Sequence, residues 1–106
     1  MVTERAGDPF AALGDEHRRR LLDLIGRQPR AVAALADAMP ISRPAVSRHL
    51  RLLKDAALVE EEAVGTRRIY RLRHDGVDAV RAYLETVWGE AAARFRLVAE
   101  NTGERP

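Results

Sequence analysis

The 106-residue sequence contains no cysteine, which excludes disulfide bonds, thiolate metal sites and cysteine nucleophiles. Its longest uninterrupted apolar run is only the short stretch Ala31–Ala36, whereas a helix that spans a membrane needs about 20 apolar residues. Residues 1–30 carry charges throughout and offer no apolar segment typical of a secretory signal. We therefore expect a cytoplasmic protein without a membrane partner.

Motifs of the common enzyme classes are also absent. The sequence has no GxSxG, HExxH or phosphate-binding-loop pattern and no glycine fingerprint of dinucleotide binding. Its three histidines are not concentrated in one segment with acidic residues. Since 106 residues are about the usual size of one domain, we expect a single domain over residues 1–106 that is not an enzyme and holds no cofactor.

Positive charge is concentrated in the middle third of the chain. The segment Ile41–Arg73 has eight basic and four acidic residues, whereas the remainder has ten basic and twelve acidic residues. A net +2 for the whole chain thus hides a local excess of +4. This distribution is typical of a protein that binds a polyanion, although a solvated surface is the alternative.

The spacing of apolar residues predicts a mainly α fold with a small β-hairpin, in total five helices and two strands. Asp8, Asp15 and Ser42 are expected to cap helices. Apolar Val46, Leu50, Leu53 and Ala57 share one side of the fourth helix. The predicted elements are a first helix from Pro9 to about Leu13, helices after Asp15, from Val32 to Met39 and after Ser42, strands Leu58–Val64 and Arg67–Arg73, and a last helix over about 76–100.

The third and fourth helices form a helix-turn-helix pattern, because only Met39-Pro40-Ile41 separates them. The fourth helix is mostly basic on the side opposite its apolar stripe, and such a helix fits the major groove of DNA. The hairpin that follows has Gly65-Thr66-Arg67-Arg68 at its tip. It is expected to serve as a wing that contacts the minor groove or phosphates.

Three blocks of the sequence, Leu13–Leu22, Ser42–Leu53 and Gly65–Leu72, resemble the ArsR/SmtB-type winged-helix repressors in their content and order. The second block contains the fairly specific pattern Ser-x-Pro-x-Val-Ser-x-His-Leu. The resemblance covers roughly residues 8–98. It implies a winged helix-turn-helix dimer that binds an inverted-repeat operator in double-stranded DNA.

The resemblance and the charge pattern together assign two groups of residues. The candidate DNA-binding residues lie on the fourth helix and the wing: Ser42, Arg43, Ser47, Arg48, His49, Arg51, Arg67 and Arg68. The first and last helices, about 9–13 and 76–100, are expected to form the dimer interface through Phe10, Leu13, Val77, Val80, Leu84, Val87 and Ala91. For His49 the alternative is a partly buried spacer, and for Arg18, Arg19 and Arg20 a solvated face is favoured over DNA contact.

The sequence departs from the resembled family at two places. Metal-sensing members carry a Cys-Val-Cys stretch where this chain has Ala31-Val32-Ala33, and the last helix has no histidine. No metal site is therefore expected. Ala57 stands where members usually have glycine; either it adopts a left-handed conformation at a cost of about 1 kcal/mol, or the turn is reshaped.

Two further functions remain open at this point. One is a sensor of the same family that responds to a small organic molecule or binds a metal through carboxylates. The other is a winged-helix module for protein interaction, which the arginines on the fourth helix and the wing disfavour. The acidic stretch Glu60-Glu61-Glu62 is unfavourable beside DNA, and we expect it to point away from phosphate.

Overall fold

The computed structural model describes the backbone of residues 7–103 and the side chains of residues 7–99. The described part of the chain is mainly helical and contains a three-stranded antiparallel sheet, so residues 1–6 and 104–106 of the predicted domain lie outside it. The helices before the hairpin are α1 (Pro9–Ala12), α2 (Glu16–Arg27), α3 (Val32–Ala38) and α4 (Arg43–Asp55). The strands are β1 (Arg30–Ala31), β2 (Val59–Val64) and β3 (Arg67–Leu72), followed by α5 (His74–Leu84), a π-helical turn (Glu85–Gly89) and α6 (Glu90–Gly103).

The three predicted N-caps are confirmed. Asp8 Oδ1 accepts a hydrogen bond from the Phe10 backbone at 3.0 Å, and Asp15 Oδ1 accepts one from the His17 backbone at 2.8 Å. Ser42 Oγ accepts from the Ala45 backbone at 3.2 Å. Each cap satisfies a backbone donor that the first helical turn leaves free, a contribution of about 1 kcal/mol per helix.

The core lies where α2, α3 and α4 meet the sheet. Three of the four residues predicted to share a stripe on α4 are confirmed, because Val46, Leu50 and Leu53 are all completely buried. Ala57, the fourth, lies beyond the end of the helix. They pack in one cluster with residues of α2, α3 and β2, whose largest fully buried side chains are Leu21, Ile25, Leu35 and Val59. This cluster fixes which side of α4 faces outward.

The predicted hairpin is confirmed, but the prediction of two strands is wrong. Val64 pairs with Arg67, so that Gly65-Thr66 forms a two-residue turn with Gly65 at a φ of 65°. The missed strand β1 pairs with β3, giving the order β1-β3-β2. A strand of two residues has no room for an alternating pattern, which is why the sequence did not indicate it.

The turn after α4 leaves Ala57 in the left-handed conformation, with a φ of 59°. The Leu58 backbone donates to the Leu53 carbonyl at 3.0 Å, and the Ala57 backbone donates to Lys54 at 3.0 Å. These two bonds form a Schellman motif, which ends the helix and normally has glycine at the position of Ala57. The turn therefore keeps the geometry that glycine favours and is not reshaped.

The last helical segment is longer than predicted. It begins at His74, runs through α5, the π-helical turn and α6 without a break, and reaches Gly103. The π-helical turn, which widens the backbone by one residue, was not predicted. Among the described residues, no helix is both long and apolar enough to cross a membrane.

Candidate nucleic-acid interface

Five of the predicted DNA-binding residues surround two adjoining cavities between α4 and the β2–β3 wing. The first cavity, of about 640 Å³, lies between α3, the start of α4 and the wing. The second, of about 450 Å³, follows α4 towards its C-terminal end, and we call it the helix–wing groove. Ser47 and Arg68 line both, Arg43 and Arg67 line the first, and Arg51 lines the groove.

The remaining lining residues of the helix–wing groove are Lys54, Glu61 and Tyr70. Sequence reasoning missed all three as site residues. Lys54 lies one turn after Arg51 on the same side of α4, a spacing that could have indicated it. The other two are brought to the groove by the register of the hairpin, in which Glu61 pairs with Tyr70.

Glu61 does not point away from the interface as predicted, and that prediction is corrected. Its carboxylate accepts hydrogen bonds from Lys54 Nζ at 2.8 Å and from the hydroxyl of buried Tyr70 at 3.3 Å, and it forms an ion pair with Arg68. Successive side chains of a strand point to opposite faces, so Glu60 and Glu62 face away from Glu61. On that other face Glu62 pairs with Arg71 at 2.6 Å.

The charges in this cluster support one another. The hydrogen bond from Lys54, and the one from Arg68, hold the pKa of Glu61 below its ordinary value despite burial. The same bond with Glu61 raises the pKa of Lys54. Burial and the nearby carboxylate raise the pKa of Tyr70, which stays a hydrogen-bond donor. At neutral pH the groove therefore holds a carboxylate between two cations.

Ser42 and Arg48 differ in placement from the five residues around the cavities. Ser42 is exposed, and its hydroxyl caps α4. Arg48 is exposed on α4 but lines neither cavity. Neither side chain lines either of the two cavities between helix and wing.

His49 faces α2, away from Ser47 and Arg51, and its placement among the DNA-contacting residues is corrected. Its Nδ1 lies 3.1 Å from Arg18 Nη1, and its ring lies 5.8 Å from that of His17. At 3.6 residues per turn, a residue two positions after Ser47 points to roughly the opposite side of the helix. His49 is therefore partly buried, as the alternative interpretation stated, and its partner is Arg18.

Arg18 is also not the solvated residue that was predicted. Its side chain is only 15% exposed. Its Nε donates to the Ala12 carbonyl at 2.9 Å, so the guanidinium joins the end of α1 to α4 through His49. Burial of so long a charged side chain is stable only with such partners.

Asp15, His17 and His49 offer three atoms within 4.8 Å of one another, as ligands of a metal ion would. The adjacent Arg18 opposes such an ion. A guanidinium is only a donor, so the lone pair of His49 Nδ1 is already used as its acceptor, and its fixed positive charge repels a cation. Burial, with the charge of Arg18 among others, lowers the pKa of His49 against the opposing effect of Asp15.

The predicted dimer residues form an exposed apolar surface in part. Phe10 is 45% exposed and Leu84 47% exposed, and the ring of Phe10 packs edge-on against Tyr83 at 5.3 Å. Val87 and Ala91 are also exposed, whereas Leu13, Val77 and Val80 are half-buried, Leu13 and Val77 against the core of the same chain. The surface continues along α6 through Phe95.

Comparison with known proteins agrees with this architecture. A family model described as a helix-turn-helix domain matches residues 13–62. The chain is 39% identical over 105 residues to the HTH-type transcriptional regulator Rv2034 of Mycobacterium tuberculosis, covering 98% of both proteins.

Several solved structures are similar to the chain. An ArsR-like transcriptional regulator from Rhodococcus sp. RHA1 has a TM-score of 0.69 and 32% identity, with 88% of each chain covered. The homodimeric winged helix-turn-helix DNA-binding domain of Mb0332 from Mycobacterium bovis has a TM-score of 0.63 and 34% identity, with 78% of this chain and 77% of that one covered. The chain belongs to the ArsR/SmtB-type family of winged helix-turn-helix transcriptional regulators, which are not enzymes.

Proposed function

We propose that the protein is a homodimeric repressor that binds an inverted-repeat operator in double-stranded DNA, within the cytoplasm. The observation that carries this proposal is the arrangement of arginines: Arg43 and Arg51 on α4 and Arg67 and Arg68 on the wing line two cavities that share Ser47. Arginine can donate two hydrogen bonds to guanine in the major groove, and it also pairs with phosphate.

In this proposal α4 and the wing make different kinds of contact with DNA. The outer side of α4 reads base edges through Arg43, Ser47 and Arg51, and Arg48 contacts phosphate beside them. Arg67 at the wing tip contacts phosphates or the minor groove, because it lies at the exposed end of the hairpin. Ser42 acts indirectly by fixing the N-terminal end of α4.

The proposed dimer interface joins α1 and the last helical segment to the same elements of a second copy. Phe10, Leu84 and Val87 are each more than two-fifths exposed in one chain, and α6 adds Phe95 at 75%. An apolar surface of this kind is usually covered by a partner in a soluble protein. A two-fold dimer would present two α4 helices to successive major grooves, about 34 Å apart.

Selection from a random DNA pool tests this function directly. The purified chain should enrich an imperfect inverted repeat whose half-sites are centred about ten base pairs apart. Failure to enrich any sequence, together with no binding to duplex DNA at low salt, would contradict the proposal and favour a protein-interaction module.

A response to a small organic molecule is a second candidate, favoured by a cavity of about 520 Å³ between α2 and α5. Leu22, Leu72 and Val77 supply apolar walls, and the charged lining residues include Arg19, Arg81 and a single acidic residue, Asp23. This combination suits a small molecule with an apolar body and one acidic group. Titration with 2-naphthoate should raise the melting temperature and weaken DNA binding, and no change in either would dismiss this candidate.

A further inference from the structure

We propose that Glu61 limits sequence-independent DNA binding by holding Lys54 and Arg68 on its carboxylate, where they are withheld from DNA phosphates. This inference rests on the proposed function of DNA binding and names a residue that positions others without contacting DNA. The carboxylate lies inside the helix–wing groove, which Ser47, Arg51 and Arg68 also line.

The relative exposure of the three side chains supports this role. Glu61 is 15% exposed, whereas Lys54 is 46% and Arg68 64% exposed. The carboxylate is thus the inner member of the cluster and is further fixed by the hydroxyl of Tyr70. The cations come from two different elements, Lys54 from the end of α4 and Arg68 from the wing, and Glu61 is the group that joins them.

A DNA phosphate has to compete with this carboxylate for both cations. Phosphate contacts add affinity for every sequence equally, whereas base contacts distinguish one sequence from another. Two cations held by Glu61 in each protomer therefore lower binding to all DNA without removing the contacts of α4 to bases. The ratio of operator affinity to random affinity is unchanged, but base contacts supply a larger share of the binding free energy.

The hairpin supplies a matched control for this effect. Glu62 follows Glu61 directly, carries the same charge and also pairs with an arginine, Arg71. It points to the opposite face of the sheet, away from the groove. A change at Glu62 therefore alters net charge by the same amount without freeing Lys54 or Arg68.

The test compares the wild type with Glu61→Gln and Glu62→Gln on two duplexes: a sequence enriched from the random pool and a scrambled duplex of the same base composition. Dissociation constants are measured between 50 and 200 mM salt. In Glu61→Gln the plot of log affinity against log salt should steepen by about 0.9 for each cation that gains a phosphate, so the gain in scrambled-DNA affinity should be about threefold larger at 50 mM than at 200 mM salt for each such cation. The affinity for both duplexes should rise by the same factor, so discrimination between them should stay the same, and Glu62→Gln should change either affinity much less.

The double variant Lys54→Gln/Glu61→Gln separates this role from a purely structural one. It removes one of the freed cations, so its salt dependence should return towards that of the wild type. Equal effects of Glu61→Gln and Glu62→Gln, or weaker binding of Glu61→Gln to both duplexes, would overturn the inference. A wild type that binds neither duplex would instead reject the proposed function itself.

Discussion

Arg18 Nη1 lies 3.1 Å from His49 Nδ1 and joins the first turn of α2 to the middle of α4. Because a guanidinium can only donate, His49 has to accept this hydrogen bond in its neutral form. Arg18 also donates to the last residue of α1, Ala12. The position of α4 relative to α1 and α2 therefore depends on an uncharged His49.

Acidification should destabilise the protein through His49. Burial lowers the pKa of His49 below its ordinary 6.5, so the unfolded chain binds this proton more readily than the folded one. Stability from this group is complete above pH 6.5 and declines as the pH falls below that value towards the folded pKa. Thermal unfolding between pH 7.5 and 5 measures this loss.

The variant His49→Asn is the control for the pH effect, since its side-chain oxygen can accept from Arg18 but does not titrate. Its melting temperature should depend less on pH than that of the wild type over the same range. Burial alone would raise the pKa of Asp15, but its backbone hydrogen bonds and the charge of Arg18 lower it below its ordinary 3.8. The contribution of Asp15 to stability is therefore lost only at a pH below 3.8. Identical pH profiles for wild type and variant would contradict the role of His49.

Replacing Ala57 with glycine should raise the free energy of unfolding by about 1 kcal/mol, because the methyl group is strained at positive φ. The φ of 59° at Ala57 is the basis of this prediction. Urea denaturation measures the change. Ala56 is the control, because it has an ordinary φ of −87° and is only 3% exposed. Ala56→Gly should therefore lower the free energy of unfolding.

Leu84→Glu should convert the proposed dimer to a monomer and weaken operator binding at least tenfold, because a charge in the apolar interface has no partner there. Sedimentation at micromolar concentration measures the mass. Ala82→Glu introduces the same charge on roughly the opposite side of α5, at a position that is also exposed. A dimer that survives Leu84→Glu, or one that Ala82→Glu splits equally, would move the interface elsewhere.

Residues whose surroundings are local were predicted well from the sequence. The caps Asp15 and Ser42, the buried stripe of α4 and the turn at Gly65 each depend on chain neighbours within a few residues. For the same reason the sequence could predict either a left-handed Ala57 or a reshaped turn, and the first of these is observed. Periodicity then fixes which side of a helix is buried.

Residues whose role depends on distant partners were assigned less well. His49 contacts Arg18, 31 positions earlier in the chain, and Glu61 contacts Lys54 on another element. The pattern of charges along the sequence shows which of these side chains are basic or acidic, but it does not show which side chain each one contacts. The strand β1 was missed for a similar reason, since it exists only through its pairing with β3.

Base reading and backbone attraction should separate in the variants Arg51→Ala and Arg67→Ala. Arg51 lines the groove on α4, so its loss should cost about 1–3 kcal/mol per half-site on the selected operator and relax preference at one symmetric pair of positions. Arg67 lies at the wing tip, so its loss should weaken all sequences alike and make the salt dependence shallower by about 0.9 per contact, twice in a dimer. Arg48→Ala removes the same charge from α4 at a position that lines neither cavity, so it should behave like Arg67→Ala. If Arg51→Ala leaves sequence preference unchanged while Arg48→Ala alters it, the base-reading side of α4 is rotated by about 60° towards Arg48.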